Sequence, residues 1–359
     1  MLGPEGKKSG AAGATMVKTE TPAAGGFHMP GEWAAHERCW MAWPCRAELW
    51  GDTLDEARRA YAAVARAIAA FEPVTMIARE ADADDASALC GPTVTIMTAA
   101  INDSWMRDIG PTFVLGEGGA VAGVSWRFNA WGGKYRGFQN DAALAGLLLD
   151  RLGIPCFDAP FVLEGGAIHS DGEGTVLTTE SVLLNSNRGM ASSRAVAEAL
   201  LRDWIGAEKV IWLQAGLAED ETDGHIDNVA CFAAPGRVLA LAAPDGSDVN
   251  HAGLAANLAL LASERDARGR TLEVIPIRQT TRMDSAGRPL AASYINFYIA
   301  NGGVVMPSFA SDEDEAAAAE VRSAFPDRRV VQVDARPIIR GGGGIHCITQ
   351  QQPRTGCER

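Results

Sequence analysis

Four consecutive glycines run into a cysteine at Gly341-Gly342-Gly343-Gly344-Ile345-His346-Cys347, the segment with the strongest chemical content in the chain. Glycines let a backbone adopt positive φ and approach a ligand closely. A cysteine presented on such a loop, at the start of an expected strand, can serve as a nucleophile once it is ionised. A buried structural thiol is the competing reading for any single cysteine, and here the glycine run favours the nucleophile. The run is not a nucleotide loop, because the G-x-G-x-x-G spacing is missing and a strand is expected after it.

A second segment, Glu219–Asn228, packs five acids and His225 into ten positions. Its first residues read as a solvated acidic loop. His225 and Asp227 instead open an apolar stretch, and on a strand two residues so spaced point to the same side. Histidine is the side chain whose proton exchanges most readily near neutral pH, so His225 is a candidate general acid or base. A third segment, Asn102–Pro111, carries Asp103, Trp105, Arg107 and Asp108 ahead of a Gly-Pro turn. Taken alone it is equally a salt-bridged loop. Glu164 follows an apolar run and precedes Gly165-Gly166. By itself it reads first as an acidic strand end and second as a buried carboxylate. No H-E-x-x-H or paired-cysteine spacing occurs, so neither metal nor cofactor is expected.

These residues need a scaffold. At 359 residues, 47% hydrophobic and 21% charged, the chain can bury a large core. Its net charge of −13 disfavours a phosphate backbone and mildly favours a small cation. The seven cysteines are dispersed and odd in number, which fits reduced thiols in a cytoplasm. The apolar runs are too short or too interrupted to span a membrane, and residues 1–28 lack the apolar core of a secretory signal. Those residues are expected to form a disordered tail ahead of one domain over 29–355.

Helical spacing of Leu54, Ala57, Tyr61, Val64 and Ile68 predicts a helix over Thr53–Phe71, followed by strands at Val74–Ala78 and Val94–Met97. Strands at Thr112–Leu115 and Val121–Phe128 lead into a helix near Ala142–Leu152. Further on, strands flank an Asp171-Gly172 turn, and pairs of strands meet across Pro235-Gly236 and Asn301-Gly302. Helices are expected over Ser193–Ile205, Ala252–Glu264 and Glu313–Phe325. Two short strands, a helix and a further strand thus recur, which suggests repeated β-β-α-β units in one α/β domain. A doubly wound sheet is the rival, and the tight hairpins argue against it.

The ordered segments together resemble the agmatine deiminases, within the guanidino-modifying superfamily that includes peptidylarginine and arginine deiminases. The matching stretches are Met29–Trp33, Trp40–Pro44, Asn102–Pro111, Phe128–Tyr135, Leu163–Gly166, Gly224–Asn228, Ser293–Gly303 and Ile345–Gln352. The resemblance implies a five-fold αβ-propeller (a pentein) with its site on the pseudo-axis. It implies a hydrolase of linear amidines that converts agmatine to N-carbamoylputrescine and ammonia, without cofactor or metal. By motif, Cys347 corresponds to the nucleophile, His225 to the general acid/base and Glu164 to its carboxylate companion. Asp108 and Asp227 correspond to the pair that grips the guanidinium, and Trp105 and Glu221 to positions around the far, amine end. Gly344 stands where the family usually carries Asn. The alternatives are a deiminase of another guanidino compound such as arginine, with Arg107 as carboxylate partner, and an inactive guanidinium-binding homologue; a Cys/His transferase is a third. The expected partner is a small cationic guanidino compound, with self-association left open and with neither nucleic acid nor membrane.

Overall fold

The computed structural model describes residues 21–356 apart from 215, 219, 244, 245, 247, 281 and 284–288. Most of the expected tail, residues 1–20, lies outside the described residues, as do Glu219, Asp284 and Cys357. Residues 21–28 of that tail are ordered. Ala23–Gly25 forms a 3-10 turn, the His28 amide donates to the Leu115 carbonyl at 2.9 Å, and the Phe27 ring packs edge-on against Phe157.

The β-β-α-β order is present four times. Thr112–Leu115 pairs antiparallel with Val121–Arg127; the helix Gln139–Leu152 crosses over, and Cys156–Val162 joins in parallel. His169–Ser170 and Thr175–Thr179, the helix Arg194–Ile205 and the strand Lys209–Leu213 repeat the order. So do Ala230–Ala234 and Arg237–Ala242 with the helix His251–Ser263 and the strand Glu273–Arg278. Tyr298–Ala300 and Gly303–Ser308, the helix Asp314–Ala324 and the strand Arg329–Asp334 form the fourth. A fifth sheet joins the two ends of the chain. Its outer strand Thr349–Pro353 runs antiparallel to His36–Ala42, which continues in parallel to Val74–Ala78 and Val94–Thr98. The result is a mixed α/β single-domain fold of separate small sheets, in which the doubly wound alternative has no place. No helix among the described residues is long and apolar enough to cross a membrane.

The hairpins at Asp171-Gly172, Pro235-Gly236 and Asn301-Gly302 form as their turn residues dictate. Besides the short pair Arg282–Met283 and Pro289–Leu290, two longer strands escape the sequence reading. Cys156–Val162 contains Pro160, a residue that demotes a strand reading. His36–Ala42 opens with three polar residues, which masks its buried half.

The junction between the fifth sheet and the fourth unit is polar and buried. Glu72 accepts from Tyr298 Oη at 2.6 Å and from the Asn301 amide at 2.7 Å, and lies 3.1 Å from His36 Nδ1. Asn301 closes the loop by accepting from the His36 amide. Replacing Glu72 with alanine strips partners from several buried groups at once. Glu72→Ala is therefore expected to cost about 2–4 kcal/mol, read as a lowered urea midpoint.

Candidate active site

Each of the five sheets of three or four strands is entered through a connecting segment, and each segment delivers a polar side chain to one place. Asp108 sits on the short helix Met106–Ile109 ahead of Thr112–Leu115. Glu164 lies ahead of His169–Ser170, and His225 with Asp227 ahead of Ala230–Ala234. Asn296 precedes Tyr298–Ala300, and Cys347 precedes Thr349–Pro353. All six side chains are buried.

Two local expectations are corrected. Cys347 occupies a turn that ends before the strand, not the strand's first residue. His225 and Asp227 are not on a strand either: Ile226–Asn228 is a 3-10 turn, and the strand begins only at Ala230. Both side chains still face one site, because the tight turn brings them round together. A methyl group built on Gly166 would lie 2.5 Å from His225 Nδ1, 3.0 Å from Asp108 Oδ1 and 3.1 Å from Asp227 Oδ2. Gly166 is thus the bare floor on which these three groups converge.

The sulphur of Cys347 lies 3.5 Å from Asp227 Oδ2 and receives the Asn296 amide, Nδ2, at 3.2 Å. Burial, then the Asp227 charge, pushes the Cys347 thiol well above its usual range; the Gly344 amide and Asn296 act in the opposite direction. Asn296 also accepts from the His346 amide at 2.8 Å and donates to Asn228 Oδ1 at 2.9 Å. A methyl group on Gly344 would lie 2.4 Å from Asn296 Oδ1, so the glycine makes room for this carboxamide.

His225 stands between two carboxylates. Its Nδ1 is 3.8 Å from Asp108 Oδ2, and its Nε2 is 3.9 Å from Glu164 Oε2. Neither Nε2 nor Glu164 Oε2 has a closer hydrogen-bond partner. Burial opposes a charged imidazole, but Asp108 and Glu164 outweigh it and raise the His225 pKa to about 9. Asp108 accepts from Trp131 Nε1 at 2.8 Å and from the Gly166 amide at 2.9 Å, which fixes both its oxygens. Asp227 Oδ2 is 2.9 Å from His346 Nδ1, while its Oδ1 is buried and unpaired.

Arg188 was not singled out in the sequence. It is buried and donates through Nε to Glu164 Oε1 at 2.9 Å, through Nη2 to the Thr222 carbonyl at 2.9 Å, and through Nη1 to Asp223. Asp223 holds a left-handed φ of 70° and also accepts from Lys134 at 2.9 Å. Arg188 therefore locks Glu164 and the loop that carries His225 into one frame. Asn296 was likewise missed, although its place two residues before a hairpin strand matches that of Cys347. Asn296 sits inside an aromatic and apolar stretch that reads as core, and Arg188 lies in a polar loop with no motif.

The mouth of the site is a narrow cleft lined by Trp105, Trp131, Tyr135, Glu221, Thr222 and Gly341–Gly343, with Asp108 and Cys347 at its base. Trp105 stacks on Trp50, and Glu221 Oε2 accepts from Tyr135 Oη at 2.6 Å. The sequence-derived set, Cys347, His225, Glu164, Asp108, Asp227, Trp105 and Glu221, is thus gathered in and around one pocket. Arg107 is not in the pocket. It is buried beneath it, 3.3 Å from Glu32 Oε1. Glu32, His169 and His346 place three ligand-type atoms within 4.8 Å of one another. The direct 2.8 Å contact of His346 with Glu32 and the Arg107 charge make this cluster an ion-paired network instead of a cation cradle.

Comparison with known proteins gives one consistent answer. The model of the Porphyromonas-type peptidyl-arginine deiminases matches residues 28–353. The agmatine deiminase of Stutzerimonas stutzeri is 44% identical, covering 93% of this chain and 98% of its own. That of Pseudomonas aeruginosa is also 44% identical over 93% and 98%. The solved agmatine deiminase of Enterococcus faecalis superposes with a TM-score of 0.91 at 35% identity, over 95% of this chain and all of that one.

Two outcomes follow from the geometry. Gly166→Ala drives a methyl group into His225 and is expected to lower kcat by about 100-fold or more with an unchanged circular dichroism spectrum. The His225 pKa lies above its unfolded value of 6.5, so its contribution to stability is complete below about pH 6.5 and is lost as pH rises through about 9. The Tm should therefore fall across that window, and His225→Asn should flatten the slope.

Proposed function

The chain belongs to the Porphyromonas-type peptidyl-arginine deiminase family, and we propose that it hydrolyses agmatine to N-carbamoylputrescine and ammonia through a covalent adduct on Cys347. One observation carries this reading. A buried thiol and imidazole share a pocket with Asp108, Glu164 and Asp227, and Asp227 still has an unpaired oxygen directed at no protein donor. Such an excess of buried negative charge calls for a cation, and a planar forked guanidinium matches carboxylates in two directions.

Asp108 and Asp227 hold the guanidinium with its carbon beside Cys347. The resting thiol is protonated; the incoming cation favours its thiolate, and the displaced proton passes to solvent as the guanidinium enters. Sulphur attacks the guanidinium carbon and forms an S–C bond. The tetrahedral adduct then breaks a C–N bond, and His225, already an imidazolium, gives its proton to the departing ammonia. Glu164, anchored by Arg188, steadies that imidazolium. His225, now neutral, takes a proton from water, whose oxygen adds to the thiouronium carbon. Breakage of the S–C bond releases the urea product; the adduct's hydroxyl proton passes to the sulphur, restoring the Cys347 thiol, and His225 is left as the imidazolium with which the cycle began.

At the mouth, Trp105 and Glu221 suit the free amine of the substrate. An arginine α-carboxylate would face the Glu221 carboxylate, while Arg107 is committed to Glu32 below the pocket and Lys134, beside Glu221, is paired with Asp223. The five sheets, each entered through a segment that reaches the same pocket, are read as five propeller blades around a central site. The net charge of −13 supports a cationic small substrate over nucleic acid. The free cysteines among the described residues fit a reducing cytoplasm.

Purified protein should release ammonia from agmatine far faster than from arginine, and Cys347→Ser should release none. Glu221→Gln should raise KM for agmatine about ten-fold or more with a smaller change in kcat. Equal turnover of both compounds would remove Glu221 from substrate selection.

A further inference from the structure

Behind the nucleophile lies a buried network that the reaction above does not use. His346 points Nδ1 at Asp227 Oδ2, 2.9 Å away, and Nε2 at Glu32 Oε1, 2.8 Å away. Both ring nitrogens therefore face carboxylate oxygens. A carboxylate only accepts, and a neutral imidazole has a single N–H. Two such contacts require one proton more than a neutral ring between two carboxylates can supply.

The surroundings decide where that proton sits. Glu32 Oε1 also faces Arg107 Nη1 at 3.3 Å. Glu32 Oε2 faces His169 Nε2 at 3.6 Å, and His169 Nδ1 accepts from the Phe232 amide, which leaves the ring hydrogen on Nε2. Glu32 is thus held ionised by two donors besides His346. Asp227 carries the sulphur contact on the same oxygen that meets His346. An imidazole outcompetes a carboxylate for a proton by about two to three pH units in water. Cys231 also lies close to this network and burial keeps it a thiol, while His225 and Asp108 act on Asp227 from the pocket side and Cys39 lies near Arg107.

We propose that His346 is a positioning residue, held as a permanent imidazolium between Asp227 and Glu32, and that its charge compensates Asp227 so that the adjacent Cys347 can become a thiolate. Without that charge, Asp227 would confront the sulphur uncompensated through its shared Oδ2. Glu32 acts at one further remove, with Arg107 and His169 fixing its place. The shifts agree in direction. Burial and Arg107 oppose a charged His346, yet Glu32 and Asp227 prevail and its pKa is raised; despite burial, Glu32 and Asp227 are both lowered. The role given to Cys347 rests on the reaction proposed above.

The test reads the ring and the thiol directly. The chain has six histidines, so nitrogen-15 labelling of histidine gives a tractable spectrum. His346 is assigned by its loss in His346→Gln, or by its shift in Glu32→Gln should the former fail to fold. At pH 8 both His346 nitrogens should show imidazolium shifts, and Glu32→Gln should lower its titration by about one pH unit or more. Iodoacetamide alkylation of Cys347 should need a pH about one unit or more higher in His346→Gln than in the unaltered protein. A neutral His346 at pH 8 in the unaltered protein, or an unmoved alkylation profile in a folded His346→Gln, overturns the proposal. Neither readout uses agmatine. An unaltered protein that titrates as described but releases no ammonia would sink the substrate assignment alone.

Discussion

The arrangement depends on one carboxylate, that of Asp227. Its Oδ2 is shared by a histidine behind it and a sulphur beside it, while its Oδ1 is left open to the pocket. A buried charge is tolerated only when others balance it, and the surrounding structure supplies that balance in layers. His346 answers Asp227, Glu32 answers His346, and Arg107 answers Glu32. On the other side of the pocket His225 faces Asp108 and Glu164, and Arg188 faces Glu164. Alternating charges thus surround a buried centre in which Asp227 Oδ1 has no hydrogen-bond partner.

Holding so many polar groups in register requires stiff backbone. The connecting segments are pinned by side-chain contacts that satisfy their amides. Asp141 accepts from the amides of Asn102 and Asp103, fixing the loop that carries Asp108. Asp220 receives the amide and hydroxyl of Thr222, and the Thr222 hydroxyl receives the His225 amide. Trp131 and Asp223, both in left-handed conformations that cost energy for residues with side chains, sit at contacts with Asp108 and Arg188 respectively.

The hairpins and helices were legible because glycine, proline and asparagine mark turns, and because helix Leu54–Ala69 repeats its apolar residues every three to four positions. Cys347 and His225 were legible because their residue types are rare and their neighbours unusual. Glu164 and Asp108 gained roles only through resemblance, since an acid in a loop says nothing by itself of what it faces. The partners of these residues were not legible. Arg188 meets Glu164 from 24 positions away and Asn296 meets Cys347 from 51, distances that only the fold closes. The local conformation around His225 and Asp227 also misled: an apolar stretch suggests a strand, whereas Gly224, at φ 101°, leads into a 3-10 turn.

The strongly suppressed acidity of Cys347 has a bearing on survival as well as on turnover. Peroxide and similar oxidants attack thiolates, not thiols. An empty pocket that keeps its sulphur protonated and walled in by Trp105 and the glycine loop is a poor target for them. In the proposed reaction the sulphur turns into a thiolate as the cationic substrate fills the space through which an oxidant would enter. Reactivity and shielding then arrive together.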